Sequence, residues 1–256
     1  MIEICEGFSS PARNFGNKLF TYSLGVVISE IQNLNLYIPK DSYIQRDGNM
    51  MLFPFNNIEN KRDITNPTLH VTDDTLVVMG LEMFIKSSKD NHIFLDGYFS
   101  NYEYVKHHKE IIKKTFSSLT SKKKCNNNIL IMLRDSNIDP TFALPNNYYL
   151  EILERENFDT IFVSYDHYNK HINLIKILQQ KYVVILLDLN IIELFKEITS
   201  FKKIIAAQGT FSFWAAFLSH AEKIYWPITK IGPNIFGHRD VNLIVDDEPR
   251  YEFVIL

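Results

Sequence analysis

The sequence predicts an α/β fold of two lobes, the second of which is a doubly wound parallel sheet. Two observations carry this prediction. Short runs of Val, Ile and Leu alternate with helical stretches throughout the second half of the chain. Unbroken apolar runs are typical of strands that are buried on both faces, as in parallel sheets covered by helices. A polar, basic segment at residues 117–128 (SSLTSKKKCNNN) separates this half from a less regular first half.

In the second half, strands and helices are predicted in strict alternation. The predicted strands are residues 129–133, 160–164, 183–187, 203–207 and 223–226, and the predicted helices are residues 146–156, 170–180, 191–199 and 211–220. Asn190 and Glu193 form a capping-box pattern at the start of the third of these helices. Such alternation favours a parallel sheet with helices on both faces.

The first half has a weaker pattern. Strands are predicted at residues 2–5, 36–39 and 92–95, and helices at residues 17–32 and 101–116. The first of these helices is expected to turn Leu19, Phe20, Val27 and Ile31 inward. We place the N-terminal lobe at residues 1–118 and the C-terminal lobe at residues 127–256. The last residues are a candidate for a return to the N-terminal lobe.

The composition excludes several classes of protein. Apolar residues make up 46% of the 256 residues, as in ordinary globular proteins. The net charge of -3 and the pI near 6.2 argue against a nucleic-acid partner. Cys5 and Cys125 lie far apart, which indicates a reducing compartment without a disulfide framework.

The apolar runs also bear on location. No signal peptide is recognised at the N-terminus, and no apolar run reaches the roughly 20 residues that cross a bilayer. We therefore expect no transmembrane anchor. The predicted location is therefore cytoplasmic. The abundant Asn, Ile and Lys indicate an AT-rich genome, so we expect the cell to be a bacterium or a virus-infected host cell.

The most informative strand end is the segment Gln208, Gly209, Thr210, Phe211 and Ser212, which follows strand 203–207 and opens a helix. Ligands of open parallel sheets bind beyond the carboxyl ends of the strands. Gly209 permits close backbone approach, and the following N–H groups would point at an anion. The structural alternative is that Thr210 is an ordinary N-cap.

Polar residues follow two other strands. Arg134 comes directly after strand 129–133, where a guanidinium can hold a phosphate through two hydrogen bonds. A salt bridge from Arg134 to Asp135 or Asp139 is an equally open alternative. Asp166 follows strand 160–164 and can either accept hydrogen bonds from a nucleotide or cap the next helix.

Several known signatures are absent from the sequence. It contains no GxxxxGK[ST] loop, no GxGxxG fingerprint and no GxSxG elbow, which argues against P-loop NTPases, dinucleotide oxidoreductases and α/β-hydrolases. It also lacks an Asp-x-Asp pair, and the adjacent His107 and His108 would face different ways on a helix, so no metal site is predicted.

Four segments, in the same order, resemble the α-1,2-fucosyltransferases (glycosyltransferase family 11). Residues 14–22 (NFGNKLFTY) resemble GGLGNQLFQY, and residues 95–102 (LDGYFSNY) are similar to LxGYFQSxKYF. Residues 145–149 (PNNYY) and 161–166 (IFVSYD) look like the stretch YY…I(Y/F)(V/I)xTDD. The most specific match is QGTFSFWAAFL at residues 208–218, which is close to SSSFSWWGAWL.

This resemblance implies a GT-B-type fold, in which two Rossmann-like lobes face a cleft. It also implies a donor held by the C-terminal lobe and an acceptor on the N-terminal side. Arg134 would take the place of the arginine that contacts the donor β-phosphate in the family's HxRxGD-type motif. By the same resemblance, Asp166 would face the guanine or ribose, and residues 208–212 would cradle the pyrophosphate. Asn17 would approach the cleft from the other lobe.

The function implied by the resemblance is that of an inverting, metal-independent glycosyltransferase. It would move fucose from GDP-fucose to a glycan hydroxyl, with no cofactor beyond this donor. Asp135 and Asp139 are the candidates for the general base. The chain departs from the family pattern at Lys18, Met132 and Tyr165, where the family has Gln, His and Asp.

Two other functions stay open on the sequence. The altered arginine motif favours a non-catalytic sugar-nucleotide or glycan-binding protein of the same fold. Another α/β enzyme, such as an epimerase, would instead have one continuous sheet.

Overall fold

The computed structural model describes residues 1–4, 14–38, 43–46, 49–52, 67–89, 91–123, 126–134, 143–229 and 241–256. The chain divides into two compact units. The first comprises Met1–Thr115 with His238–Asn242, and the second comprises Phe116–Gly237 with Leu243–Leu256.

The first unit contains a four-stranded, all-parallel sheet. Its strands are β1 (Ile2–Ile4), β2 (Leu36–Tyr37), β5 (Thr68–Val71) and β6 (His92–Leu95), in the order β2-β1-β6-β5. A separate antiparallel pair is formed by β3 (Tyr43–Arg46) and β4 (Asn49–Leu52). The three strands predicted in this half are confirmed, and β5 was not predicted.

The helices of the first unit are α1 (Phe15–Gln32), α2 (Asp73–Met79), α3 (Leu81–Ser87) and α4 (Lys109–Thr115). The prediction of one helix at residues 101–116 is only partly right. Two 3₁₀ turns, Tyr102–Tyr104 and Lys106–His108, precede α4. Asn101 starts the first turn, because its side chain accepts a hydrogen bond from the Glu103 N–H at 3.0 Å.

The long helix α1 is buried more completely than its sequence pattern predicts. Leu19, Phe20 and Val27 face inward as expected, but Ile31 is 45% exposed, so this part of the prediction is wrong. Nearly every residue from Phe15 to Ile28 is buried, whereas the last turn lies beyond this buried stretch.

The second unit contains a six-stranded, all-parallel sheet. Its strands are β7 (Ile129–Leu133), β8 (Ile161–Tyr165), β9 (Val184–Leu187), β10 (Lys203–Ile205), β11 (Lys223–Ile228) and β12 (Tyr251–Ile255). They lie in the order β9-β8-β7-β10-β11-β12, which is that of Rossmann-type domains.

Among the described residues, the helices that alternate with these strands are α5 (Asn146–Arg155), α6 (Tyr168–Lys181), α7 (Ile191–Thr199) and α8 (Thr210–Phe217). Residues of α5 and α6 pack in one core cluster with Ile129, Ile131 and Leu133 of β7. All five residues of β7 are buried, so both faces of the sheet are covered there. The predictions of an α/β fold, of two Rossmann-like lobes and of a doubly wound C-terminal sheet are therefore confirmed. That the two lobes face a cleft stays a prediction.

The end of the chain corrects one expectation. The last residues do not return to the first unit, because Tyr251–Ile255 pairs with β11 in the second sheet. The segment that belongs to the first unit comes earlier, where Asn242 bridges to Asn101 and accepts a hydrogen bond from the Tyr102 N–H at 2.7 Å. Within the described ranges, no helix is both long enough and apolar enough to span a membrane.

Candidate functional site

The candidate site of the second unit lies where the strand order reverses. From the central pair β7 and β10, the chain continues to β8 on one side and to β11 on the other. Loops that diverge in this way leave a crevice at the carboxyl ends of the strands. Ile205 of β10 is the register partner of Ile131 of β7. Gln208 and Arg134 each follow three residues later, so they lie side by side just beyond the carboxyl ends of these two strands.

Arg134 and Gly209 are in direct contact. A methyl group added at Gly209 would lie 2.6 Å from Nη1 of Arg134 and 3.1 Å from its Cζ. Gly209 also has φ of 104°, a conformation that other residues rarely adopt. Glycine is thus required twice here, once by the backbone and once by the guanidinium that packs against it.

Gly209 is also the N-cap of α8. The first hydrogen bond of this helix runs from the Phe213 N–H to the Gly209 carbonyl at 3.0 Å. The N–H groups of Thr210, Phe211 and Ser212 therefore lie at the amino end of the helix and point out of its first turn. The alternative that Thr210 is the N-cap is wrong, since Thr210 is the first helical residue.

Two features fix the position of α8. Its residues from Ser212 to Phe217 are all buried, so the helix is held on every side. At its carboxyl end, the Arg250 side chain donates from Nη2 to the Phe217 carbonyl at 2.7 Å and from Nη1 to the Ser219 carbonyl at 2.8 Å. A cation at this end also interacts favourably with the helix dipole.

Gln208 contributes a buried amide beside Gly209. Its side chain accepts a hydrogen bond from the Thr229 hydroxyl at 3.3 Å, and the residue is 2% exposed. Its Nε2 group is buried and has no hydrogen-bond acceptor among the residues that the structure describes. An unsatisfied buried donor costs about 1–3 kcal/mol, which a ligand oxygen would offset.

Arg134 carries the positive charge of this site. Burial lowers the pKa of its guanidinium, and the charge of Asp166 acts in the opposite direction. The group remains a cation at neutral pH, because a guanidinium does not deprotonate in proteins. We use the term switch-point site for Arg134, Gln208, Gly209 and the first turn of α8. Its cation and amide dipoles are suited to binding an anion.

Asp166 lies next to Arg134 at the edge of the sheet, since the preceding residues Tyr165 and Leu133 are register partners. Its Oδ1 accepts a hydrogen bond from the His167 N–H at 2.8 Å and lies 3.0 Å from Nε2 of His171. Asp166 is not the N-cap of α6, because His167 holds that position. The capping alternative is therefore wrong.

The partner His171 was not predicted. It lies in the first turn of α6, five residues after Asp166, and only 13% of its side chain is exposed. The chain reverses between β8 and α6, so a residue one turn into the helix can reach back to the strand end. This spacing is the signal in the sequence that could have identified it.

Met132, at one of the positions where the chain departs from the α-1,2-fucosyltransferase pattern that it resembles, lies in the core. The residue is 3% exposed, and its carbonyl accepts a hydrogen bond from the Tyr149 hydroxyl at 3.2 Å. Burial, followed by the charge of Asp166, raises the pKa of Tyr149. Met132 therefore contributes packing to the core of the second unit.

The remaining predicted residues lie elsewhere. Asn17 is in the first turn of α1 in the first unit, and its carbonyl accepts a hydrogen bond from the Thr21 hydroxyl at 3.3 Å. The neighbouring Lys18 is fully buried. Asp135 and Asp139, the candidates for the general base, lie outside the described residues.

Comparisons with known proteins add a similarity at the level of the fold. No protein-family model matches the chain, and no curated protein matches it. The fold is similar to a crystal structure of POFUT1 in complex with GDP, with a TM-score of 0.48 and 10% sequence identity. The match covers 85% of this chain and 94% of that chain. A similarity at this level does not assign an activity.

The geometry of the switch-point site nevertheless limits its chemistry. A guanidinium, a set of helix N–H groups and a buried amide donor can bind phosphate oxygens. They can also stabilise negative charge that develops on such oxygens during a reaction.

Proposed function

We propose that the chain is a glycosyltransferase that binds a nucleoside diphosphate sugar at the switch-point site. The observation that carries this proposal is the contact between the Arg134 guanidinium and Gly209 at the start of α8. This contact directs a full positive charge and the amide dipoles of a helix to the same place.

The proposed reaction follows from this arrangement. When the bond between the anomeric carbon and the diphosphate oxygen breaks, negative charge develops on the departing diphosphate. Arg134 and the N–H groups of Thr210, Phe211 and Ser212 stabilise that charge without requiring a metal ion. The acceptor hydroxyl attacks the opposite face of the sugar, inverts the anomeric carbon and loses its proton to a base, for which Asp135 and Asp139 are the candidates.

Two further residues have proposed roles in donor binding. Gln208 donates from its buried Nε2 to an oxygen of the donor. Asp166 accepts from the ribose or the base, with His171 holding its Oδ1. The donor is proposed to be GDP-fucose, on the basis of the four segments that resemble the α-1,2-fucosyltransferases.

Nucleotide binding tests the first part of this proposal. We expect GDP at 100 times its dissociation constant to stabilise the chain by about 2.7 kcal/mol in a thermal unfolding assay. UDP, dTDP and CMP should stabilise it less at equal concentration. Arg134→Gln should remove most of the effect of GDP, whereas Arg155→Gln, at an exposed position of α5, should not.

The outcomes separate the candidate functions. If none of the four nucleotides stabilises the chain, the switch-point site is not a nucleotide site. If GDP binds through Arg134 but GDP-fucose is neither transferred nor hydrolysed, the chain is a non-catalytic sugar-nucleotide-binding protein.

A further inference from the structure

The six-stranded sheet of the second unit ends on one side in an open edge. Its last strand, β12 (Tyr251–Ile255), pairs only with β11 among the residues that the structure describes. The ladder between the two strands runs through five consecutive residue pairs without a bulge. An edge strand of this kind offers its outer N–H and C=O groups to another strand.

One hydrogen bond to β11 fixes which backbone groups of β12 point outward. The Leu256 N–H donates to the Ile228 carbonyl of β11 at 2.9 Å. Backbone groups of successive residues in a strand face opposite sides, so the N–H and C=O groups of Phe253 and Ile255 face the open edge. The carbonyl of Tyr251 faces the same way, whereas its N–H donates to a carbonyl of the preceding loop.

The exposed side chains of β12 are both apolar. Ile255 is 80% exposed and Phe253 is 37% exposed, and they lie on the face of the strand that begins with Tyr251. The charge of Glu252 lies on the opposite face, where it forms an ion pair with Lys223 at 3.1 Å. Natural edge strands commonly carry an exposed charge or a proline that prevents pairing, and β12 has neither at its exposed positions.

The sequence of β12 is complementary to a second copy of itself. In an antiparallel pair centred on Phe253, this residue lies opposite Phe253 of the second copy, and Tyr251 lies opposite Ile255 of the second copy. Glu252 then lies opposite Val254 of the second copy, so no two like charges meet. Cross-strand pairs of aromatic and β-branched residues stabilise such a ladder, whereas like charges would weaken it.

We propose that the chain forms a symmetric dimer in which β12 pairs antiparallel with β12 of a second copy. The Phe253 N–H donates to the Phe253 carbonyl of the second copy, and the Ile255 N–H donates to the Tyr251 carbonyl of the second copy. A two-fold axis repeats both bonds and closes the assembly at two chains. The dimer does not depend on the proposed donor site, so it can be tested without a nucleotide.

Sedimentation equilibrium of the full chain tests this proposal. Five paired residues form a small interface beside the usual one of about 1,600 Å², so we expect a dissociation constant in the micromolar range. The apparent mass should rise from 30.0 kDa toward twice that value as the concentration increases from about 1 μM to about 200 μM. A monomer at every concentration would overturn the proposal.

Opposite charges at one position test the register. Phe253→Lys places two ammonium groups opposite each other, and Phe253→Glu does the same with two carboxylates. Each variant alone should therefore dimerise at least about tenfold more weakly than the parent chain. An equimolar mixture of the two variants should regain dimers, because unlike charges then meet across the axis. A mixture that associates no better than either variant alone would contradict the pairing of Phe253 with itself.

Ile185→Lys is the matched control at the other edge of the same sheet. Ile185 belongs to β9 and is 43% exposed, close to the exposure of Phe253. This variant should keep the dissociation constant of the parent chain. If it weakened the dimer while Phe253→Lys did not, the interface would lie at β9 and the proposal would be wrong.

Ile255→Lys separates loss of the interface from loss of the fold. Because Ile255 is 80% exposed, this variant should keep the melting temperature of the monomer. It should nevertheless weaken the dimer by at least about tenfold, since lysine is a residue that blocks edge strands. Unchanged association of this variant would count against the proposed pairing.

Discussion

At the scale of single residues, the switch-point site depends on the contact between Arg134 and Gly209. The absence of a side chain at Gly209 lets the guanidinium lie against the backbone where α8 begins. A cation at the exit of β7 thereby meets the amide end of the helix that follows β10. Neither residue alone would distinguish an anion site from an ordinary strand end.

We predict that Gly209→Ala damages both stability and anion binding. The new Cβ would strain the backbone, which costs about 1–3 kcal/mol, and would displace the guanidinium of Arg134. The affinity for GDP should fall at least about tenfold in isothermal titration.

Gly80→Ala is the matched control for this prediction. Gly80 also has a positive φ, of 72°, but an added Cβ would meet nothing within 4 Å. The control should lose stability and keep its affinity for GDP. If Gly209→Ala also kept that affinity, the contact with Arg134 would not matter for binding.

At the scale of secondary-structure elements, a charged network joins α5 to the start of two strands. Glu156, directly after α5, lies 3.0 Å from Nζ of both Lys203 and Lys223, the first residues of β10 and β11. The Tyr225 hydroxyl donates to the same carboxylate. Burial opposes the ionisation of Glu156, but the hydrogen bonds from Tyr225 and the two lysines outweigh it and lower the pKa to about 2.

We predict that this network stabilises the second unit in a pH-dependent way. The pKa of Glu156 falls from 4.5 to about 2 on folding, so its contribution is present above pH 4.5 and is lost as the pH falls toward 2. At pH 7, Glu156→Gln should reduce the free energy of unfolding by about 2 kcal/mol, as expected for hydrogen bonds to a charged group. Urea unfolding at several pH values measures this difference.

The control for the network is Glu154→Gln, on the exposed side of α5. It should change the stability by less than about 0.5 kcal/mol at any pH. A loss in Glu156→Gln that stayed constant between pH 7 and pH 2.5 would contradict the role of the ionised carboxylate.

The elements also show what the sequence could predict. Strand β7 was predictable because all of its residues are buried and apolar, and they therefore form one uninterrupted apolar run in the sequence. Strand β12 was missed because it is an edge strand in which buried and exposed residues alternate, and Ile255 is 80% exposed. Strand β5, at the edge of the first sheet, has the same weakness. Runs of apolar residues identify central strands and also the edge strand β9, whose residues are all apolar, whereas edge strands of mixed composition such as β5 and β12 give no such run.

The switch-point site was only partly predictable for a similar reason. The candidates Arg134, Asp166 and Gly209 could be read from strand ends, because parallel strands place these ends at one edge. The close packing of Gly209 on Arg134 requires β7 and β10 to be neighbours in the sheet. The pattern of apolar runs does not predict the order of strands in a sheet. The hydrogen bond between Asp166 and His171 was missed because it depends on the turn between β8 and α6.

At the scale of the whole molecule, the chain is built from two units, each with its own parallel sheet. The residues of the proposed donor site, Arg134, Gln208 and Gly209, all belong to the second unit.

The central claim is that Arg134 stabilises the departing diphosphate, and turnover of GDP-fucose in EDTA tests it most directly. We expect Arg134→Ala to lower kcat for transfer or hydrolysis by about 10³-fold, with an unchanged melting temperature. Arg155→Ala, the control in the same unit, should keep the kcat of the parent chain. Equal kcat for Arg134→Ala and the parent chain, or no turnover by the parent chain, would contradict the claim.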